Sequence, residues 1–188
     1  HSLPAPTWSA VTCGTNDMLY FGLDDGKLYA YSNNGTEEWS FPLNGGNIFS
    51  GPSIGDEGTI YCATTTGRLV AVNPNGTEKW VFDTSATFIG TPAIASDGTI
   101  YIGAANHDGC LYAVNKDNGL IKWVYHTGAT GKVYASPSIA ADGTIYVAAE
   151  DSILHAVNPS GTKKWNRNLH GTMGSANPAI GADGTIYL

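Results

Sequence analysis

The chain has 188 residues, of which 24 are glycine, 42% are hydrophobic and 13% are charged. So much glycine and so little charge exclude coiled coils and long solvated helices, and the apolar share excludes a disordered chain. The net charge of −7, with no basic run longer than Lys163-Lys164, excludes nucleic acid and anionic lipid surfaces as partners, and no apolar stretch approaches the ~18 residues of a membrane span.

From the N-terminus onward, one short string keeps returning. Asn16-Asp-Met-Leu-Tyr20 is a degenerate first copy and Glu57-Gly-Thr-Ile-Tyr61 a close one. Asp-Gly-Thr-Ile-Tyr then stands at 97–101, 142–146 and 183–187. The tyrosines step by 41, 40, 45 and 41 residues, and Trp39, Trp80, Trp123 and Trp165 by 41, 43 and 42. A period in this range, holding several short strands, is the signature of propeller blades.

Each unit reads as four strands. In the third they are Phe88–Ala95, Thr99–Ala104, Cys110–Asn115 and Ile121–His126, separated by turns such as Ser96-Asp97-Gly98. Turn signals this close together leave no room for a helix. The second strand of the fourth unit, Thr144-Ile-Tyr-Val-Ala-Ala149, is apolar at nearly every position, as expected where both faces of a sheet are covered. The blades are expected at about 8–42, 48–83, 88–126 and 133–168, with a partial blade at 173–188, all in one domain spanning 1–188. The fold class is therefore all-β: a propeller of four-stranded antiparallel blades, four complete and half of a fifth. Cys13, Cys62 and Cys110 are scattered in apolar runs without a CxxC and read as small hydrophobes. Asn34 and Asn75 open Asn-Gly-Thr sequons, which also read as hairpin turns.

A second signal runs in phase with the first. It is written Ala30-Tyr-Ser-Asn-Asn-Gly35-Thr-Glu-Glu-Trp39, then Ala71-Val-Asn-Pro-Asn-Gly76-Thr-Glu-Lys-Trp80. Ala113-Val-Asn-Lys-Asp-Asn-Gly119-Leu-Ile-Lys-Trp123 and Ala156-Val-Asn-Pro-Ser-Gly161-Thr-Lys-Lys-Trp165 follow. With Trp four residues after Gly in every copy, the unit resembles the tryptophan-docking motif of pyrroloquinoline-quinone-type (quinoprotein-like) β-propellers. That resemblance implies a ring of about seven or eight blades, with Trp39, Trp80, Trp123 and Trp165 as blade-docking residues. It also implies two functional branches. Quinone-dependent alcohol and sugar dehydrogenases are one; this chain has neither their vicinal cysteines nor a set matching their calcium ligands, so no catalytic residue carries over. Non-catalytic proteins are the other: a bacterial outer-membrane assembly lipoprotein, a luminal sensor of unfolded proteins, and archaeal and bacterial surface proteins, which the Gly-Thr-Ile-Tyr style resembles most.

Function in a propeller is expected on the loops of one face. The loops between second and third strands offer Asp24, Asp25, Thr65, Thr66, Asn106, His107, Asp108, Glu150 and Asp151. The connections between blades offer Asn44, Asn47, Ser85, Thr87, His126, Lys132, His170 and Thr172. Phe49, Phe88, Tyr134 and Met173 are expected at one shared position near the channel mouth, where rings could grip a peptide or stack on a sugar or simply fill the space between blades. His107-Asp108 and Glu150-Asp151 could approach one another across adjacent blades as an acid–base or metal pair, or be solvated turns.

The expectation for function is a non-catalytic binding or scaffold module outside the cytoplasm, secreted or at the cell surface, with a protein or glycan partner and no cofactor. The alternative is a piece of a quinoprotein dehydrogenase that uses the quinone with calcium. Four blades on a wider ring's curvature would leave apolar blade faces open, so a homodimer, or further blades of a longer chain, is expected to complete the ring.

Overall fold

The computed structural model describes residues 4–15, 17–105, 109–128, 132–171 and 176–188. Among them the regular structure is all strand, and there is no helix long and apolar enough to cross a membrane. The first blade comprises β1 (Thr12–Cys13), β2 (Met18–Gly22), β3 (Lys27–Ser32) and β4 (Glu37–Pro42). The second comprises β5 (Ser53–Ile54), β6 (Ile60–Ala63), β7 (Arg68–Val72) and β8 (Glu78–Asp83), and the third β9 (Ala93–Ile94), β10 (Ile100–Ala104), β11 (Cys110–Val114) and β12 (Ile121–His126). The fourth comprises β13 (Ser138–Ile139), β14 (Ile145–Ala148), β15 (Ile153–Val157) and β16 (Lys163–Asn168). A two-stranded sheet follows, β17 (Ala179–Ile180) with β18 (Ile186–Tyr187). Every sheet is an antiparallel meander, and the all-β propeller expected from the repeat is the fold observed.

The innermost strands are shorter than the sequence suggests. Phe88–Ala95 was expected as one strand, but only Ala93–Ile94 pairs as such, with an isolated bridge from Phe88 to Ala104. Pro92 lacks an N–H to give the ladder, so regular pairing begins after it. Pro52, Pro137 and Pro178 stand at the same place in their blades.

Blades stack face to face through three apolar layers. Tyr20, Leu28 and Ala30 of the first blade meet Ile60, Cys62, Val70 and Val72 of the second. Tyr61, Leu69, Trp80 and Phe82 meet Ile100, Ile102 and Val114 of the third, and Tyr101, Leu111 and Ala113 meet Ile145, Val147 and Val157 of the fourth. Burial on both faces removes the polar alternation that a half-exposed strand would show.

Trp39, Trp80 and Trp123 each lock their blade to the next one. Nε1 of Trp39 donates to the Pro74 carbonyl at 3.0 Å, Trp80 to Lys116 at 2.7 Å and Trp123 to Pro159 at 2.9 Å. The indole lies on the turn glycine of that neighbouring blade. A Cβ on Gly76, Gly119 or Gly161 would stand 2.7–2.8 Å from the ring, and these glycines also hold φ of +71 to +82°. Glycine is thus required twice over at one position. Trp165 rests on Tyr146 of its own blade, ring centroids 5.6 Å apart, and is 36% exposed.

A β-bulge recurs beside the motif alanine. Ala30 pairs with Trp39 and Tyr31 with Glu37, so Glu38 is the extra residue. The same slip makes Lys79, Lys122 and Lys164 the extra residues of the later blades. A bulge re-aims its side chain, and each lysine bends back to its own blade's Gly-Thr turn: Lys79 Nζ to Thr59 Oγ1 at 3.4 Å, Lys122 to Thr99 and Lys164 to Thr144 at 2.7 Å.

Asn34 and Asn75 cap their turns through Oδ1, which accepts from the N–H of Thr36 at 3.0 Å and of Thr77 at 3.2 Å. Cys62 and Cys110 are buried as expected, but Cys13 is exposed, because β1 borders the axis and lacks a covering strand on that side.

Candidate functional site

The innermost strands meet around the propeller axis: β5 touches β9, β9 touches β13 and β13 touches β17. Side-chain hydroxyls tie them in series. Thr12 Oγ1 donates to the Pro52 carbonyl at 2.6 Å, and Ser53 and Ser138 donate equivalently to Pro92 and Pro178. Between the third and fourth blades, where Ala93 has no hydroxyl, the Thr91 N–H donates to Ser136 Oγ at 2.8 Å instead. This belt fixes the height of the residues just before each inner strand.

Those residues form the mouth. Trp8, Phe49, Ile89 and Tyr134 each stand four residues before the first residue of an inner strand, Thr12, Ser53, Ala93 and Ser138. With Ser50, Gly51, Gly90, Ser136 and Asn177 they line one open cavity of about 230 Å³. Trp8 is 73% and Phe49 40% exposed. The approach of the chain is held the same way in every blade: Pro6, Asn47, Thr87 and Lys132 accept through their carbonyls from Asp24, Thr65, Ala105 and Glu150 N–H groups at 2.8–3.1 Å.

Of the sequence-derived candidates, Phe49 and Tyr134 come together here. Phe88 does not, and the expectation is corrected. It is 1% exposed and stacks between Phe82 and Tyr112, with ring centroids at 6.3 and 6.1 Å. Counted back from the inner strand, Phe88 matches the buried Ile48 and Val133, and the mouth position of the third blade belongs to Ile89. An aromatic one residue early was mistaken for the in-phase residue. Trp8 was missed as a mouth residue, since the first blade has Val11 where the others have proline.

The remaining candidates are elsewhere. Asn106, His107 and Asp108 lie outside the described residues, as do Thr172 and Met173. His126 is exposed at the end of β12, with Nδ1 3.3 Å from Cys110 Sγ. Lys132 is half-buried, and its carbonyl accepts the Glu150 N–H. Asp151 caps its own turn, accepting from the Ile153 N–H at 3.0 Å. Asp24, Asp25, Asn44 and Asn47 line a second, shallow cavity of about 320 Å³ on the outer rim, where Asp25 accepts from the Tyr29 hydroxyl at 2.6 Å. Burial and that carboxylate raise the Tyr29 pKa above the ordinary tyrosine value. Among the described residues there is no group of three or more His, Cys, Asp or Glu placed to hold a metal ion.

The mouth is uncharged, with polar and apolar surface in comparable amounts. Its lining has aromatic and aliphatic rims, hydroxyls and one amide, and no Lys, Arg, His, Asp or Glu. The dehydrogenase alternative calls for an anionic quinone together with a metal ion. Such a pair requires cationic side chains and carboxylate ligands, so the mouth residues do not fit it.

Known proteins agree with the architecture. None of the curated proteins is similar enough in sequence to be matched. The crystal structure of BamB from Moraxella catarrhalis superposes with a TM-score of 0.74 at 19% identity, over 95% of this chain and 59% of that one. Quinohemoprotein alcohol dehydrogenase from Comamonas testosteroni gives 0.76 at 16% identity, over 97% of this chain and 39% of that one. A quinohemoprotein alcohol dehydrogenase from Pseudomonas putida HK5 gives 0.80 at 16% identity, over 94% and 36%. These likenesses show a shared fold, and the chain spans less than two thirds of each structure. In sequence, residues 15–183 match the family described as outer membrane protein assembly factor BamB, a propeller family of quinoprotein type, and the chain belongs to that family.

Proposed function

We propose that this chain is a non-catalytic propeller module working outside the cytoplasm, in the cell envelope or at its surface, which holds a protein or glycan at its axial mouth. The observation that carries this reading is the in-phase ring of Trp8, Phe49, Ile89 and Tyr134 around an open cavity. Large apolar side chains kept half or fully exposed at one repeat position are a binding surface rather than a core. The family description, an outer-membrane assembly factor, supports both the envelope location and a protein partner. The uncharged lining supports binding over acid–base chemistry, which needs titrating groups within reach of the reacting atoms.

The test is a doubly substituted chain, Trp8→Ala with Phe49→Ala, checked for an unchanged circular dichroism spectrum and melting point. Immobilised beside the parent chain, it is expected to lose retention of defined envelope proteins and glycans that the parent holds. Undiminished retention would overturn the reading. So would turnover of an alcohol or aldose by the chain supplied with the quinone and calcium, the outcome that the dehydrogenase alternative demands. Pairing of two copies to complete the ring is part of the same proposal, and light scattering at the mass of one chain would remove it.

A further inference from the structure

The three junctions between complete blades are built from equivalent positions, and the third departs from the other two. In the first junction Phe41 and Val70 share one apolar layer. In the second, Phe82 meets Tyr112 edge to face, ring centroids 5.5 Å apart. The strand registers place Tyr125 and His155 at the same two positions of the third junction, where their rings lie 5.7 Å apart. Across the outer strand Val70 is opposite Val81 and Tyr112 is opposite Val124, but His155 is opposite Asn166. A titratable ring and an amide thus stand where the first junction has two valines and the second a tyrosine and a valine.

His155 is 1% exposed, with Nδ1 3.0 Å from the Tyr125 hydroxyl across the junction and Nε2 without a hydrogen-bond partner among the described residues. The imidazolium has two N–H donors, so its second one finds no acceptor while the blades are closed. A buried charge in that state is strongly disfavoured. The titratable and charged groups acting on the ring are Tyr125 from β12, Asp151 from the turn into β15 and Lys163 from β16; β14 places the apolar Val147 opposite. Burial lowers the His155 pKa, Asp151 raises it and Lys163 lowers it, and the result is below the ordinary histidine value. Cys110 belongs to the layer on the other face of the third blade. Parting the third and fourth blades would give Nε2–H water to bond, so protonation favours the parted state. Val133 shares the apolar layer of Tyr125 and directly precedes Tyr134, so this junction also carries one side of the mouth.

We infer that the junction of the third and fourth blades is an acid-sensitive latch: His155 takes one proton from solvent, its contact with Tyr125 breaks, and the fourth blade opens away from the third while the first and second junctions stay closed. The repeat supplies its own reference. Cys62 in the first junction and Val147 in the third occupy the same strand position, opposite Val70 and His155, and both are fully buried.

In the Val147→Cys chain two thiols therefore report two junctions in one molecule. Their labelling by dithiodipyridine is followed by mass spectrometry, and the ratio of the two rates removes the dependence on pH that both thiols share. From about pH 7 to about pH 5 the third-junction thiol is expected to gain on Cys62 by up to about tenfold per pH unit, the limit for uptake of one proton. With His155→Val added, which restores the residue found at Val70, the ratio is expected to be flat. A ratio independent of pH, or one that keeps its pH dependence in His155→Val, overturns the inference. So does labelling of both thiols together, because acid would then open the whole arc and single out no junction. Hydroxyl-radical footprinting of the unsubstituted chain makes the same comparison should Val147→Cys fail to fold. Tyr125 is expected to gain oxidation relative to Phe41 as the pH falls, and an equal or absent gain overturns the latch.

Discussion

Alanine at Gly35 and alanine at Gly119 should differ in cost, although the two glycines occupy the same turn of the repeat. Both have left-handed backbone, φ +84° and +71°, so both substitutions incur the strain of an L-residue there, about 1–2 kcal/mol. Their surroundings differ. A Cβ at Gly35 meets nothing within 4 Å, whereas one at Gly119 stands 2.7 Å from the Trp80 ring. That indole is 7% exposed and pinned by its bond to the Lys116 carbonyl, so it has little room to yield. Overpacking of this kind adds about 1–3 kcal/mol. In a chain of this size each kcal/mol lowers Tm by about 2–4 °C, so Gly119→Ala should melt about 2–12 °C below Gly35→Ala. Urea unfolding followed by both circular dichroism and tryptophan fluorescence gives the free-energy difference directly. Equal losses in the two variants would refute the docking argument, leaving backbone strain as the whole reason for the glycine.

The other expectations are briefer. His155 is buried with Nδ1 3.0 Å from the Tyr125 hydroxyl, and burial holds its pKa below the ordinary histidine value. The unfolded chain therefore takes up this proton first, so stability present above pH about 6.5 should be lost as the pH falls through that value toward the folded pKa. The urea midpoint should drop between neutral and mildly acid pH, less steeply in His155→Phe; a wild-type midpoint that is flat or rising would contradict this. Phe88→Ala should cost about 3–5 kcal/mol without touching ligand affinity at the mouth, and Phe49→Ala should do the reverse; matched losses in both would show that the two share one environment after all. In the native chain a thiol reagent should modify Cys13 rapidly and Cys62 only on unfolding, because burial pushes the Cys62 thiol up to about 12; mass spectrometry showing both at one rate would exclude the burial described.

What the sequence made legible was whatever each blade needs in common. Every internal blade solves the same packing problem, so Tyr61, Tyr101 and Tyr146 and the tryptophans that rest on them return at fixed phase. The turn aspartates likewise return because Asp97, Asp142 and Asp183 each cap the threonine two residues on. The mouth was legible only in part, since a binding surface need not repeat its residue type. Phe88 drew attention by being aromatic, while the aliphatic Ile89 held the position. Prolines 52, 92 and 137 would have given the phase, but Trp8 has no such marker. The bulge lysines stand directly before Trp80, Trp123 and Trp165 in the sequence, yet their reach to Thr59, Thr99 and Thr144 depends on a register slip that pattern alone does not reveal.

The tryptophan locks all point the same way along the chain, and that gives the assembly a direction. The second and third blades are each a donor toward the successor and a receiver from the predecessor, so their stability is borrowed from neighbours on two sides. Such an arc behaves as a one-dimensional array of coupled units. The second and third blades are clasped on both faces, one lock arriving and one leaving. The mouth is shared between these units, so a ligand bridging Trp8 and Tyr134 would act as a crosslink between the first and fourth blades, at a place no lock reaches.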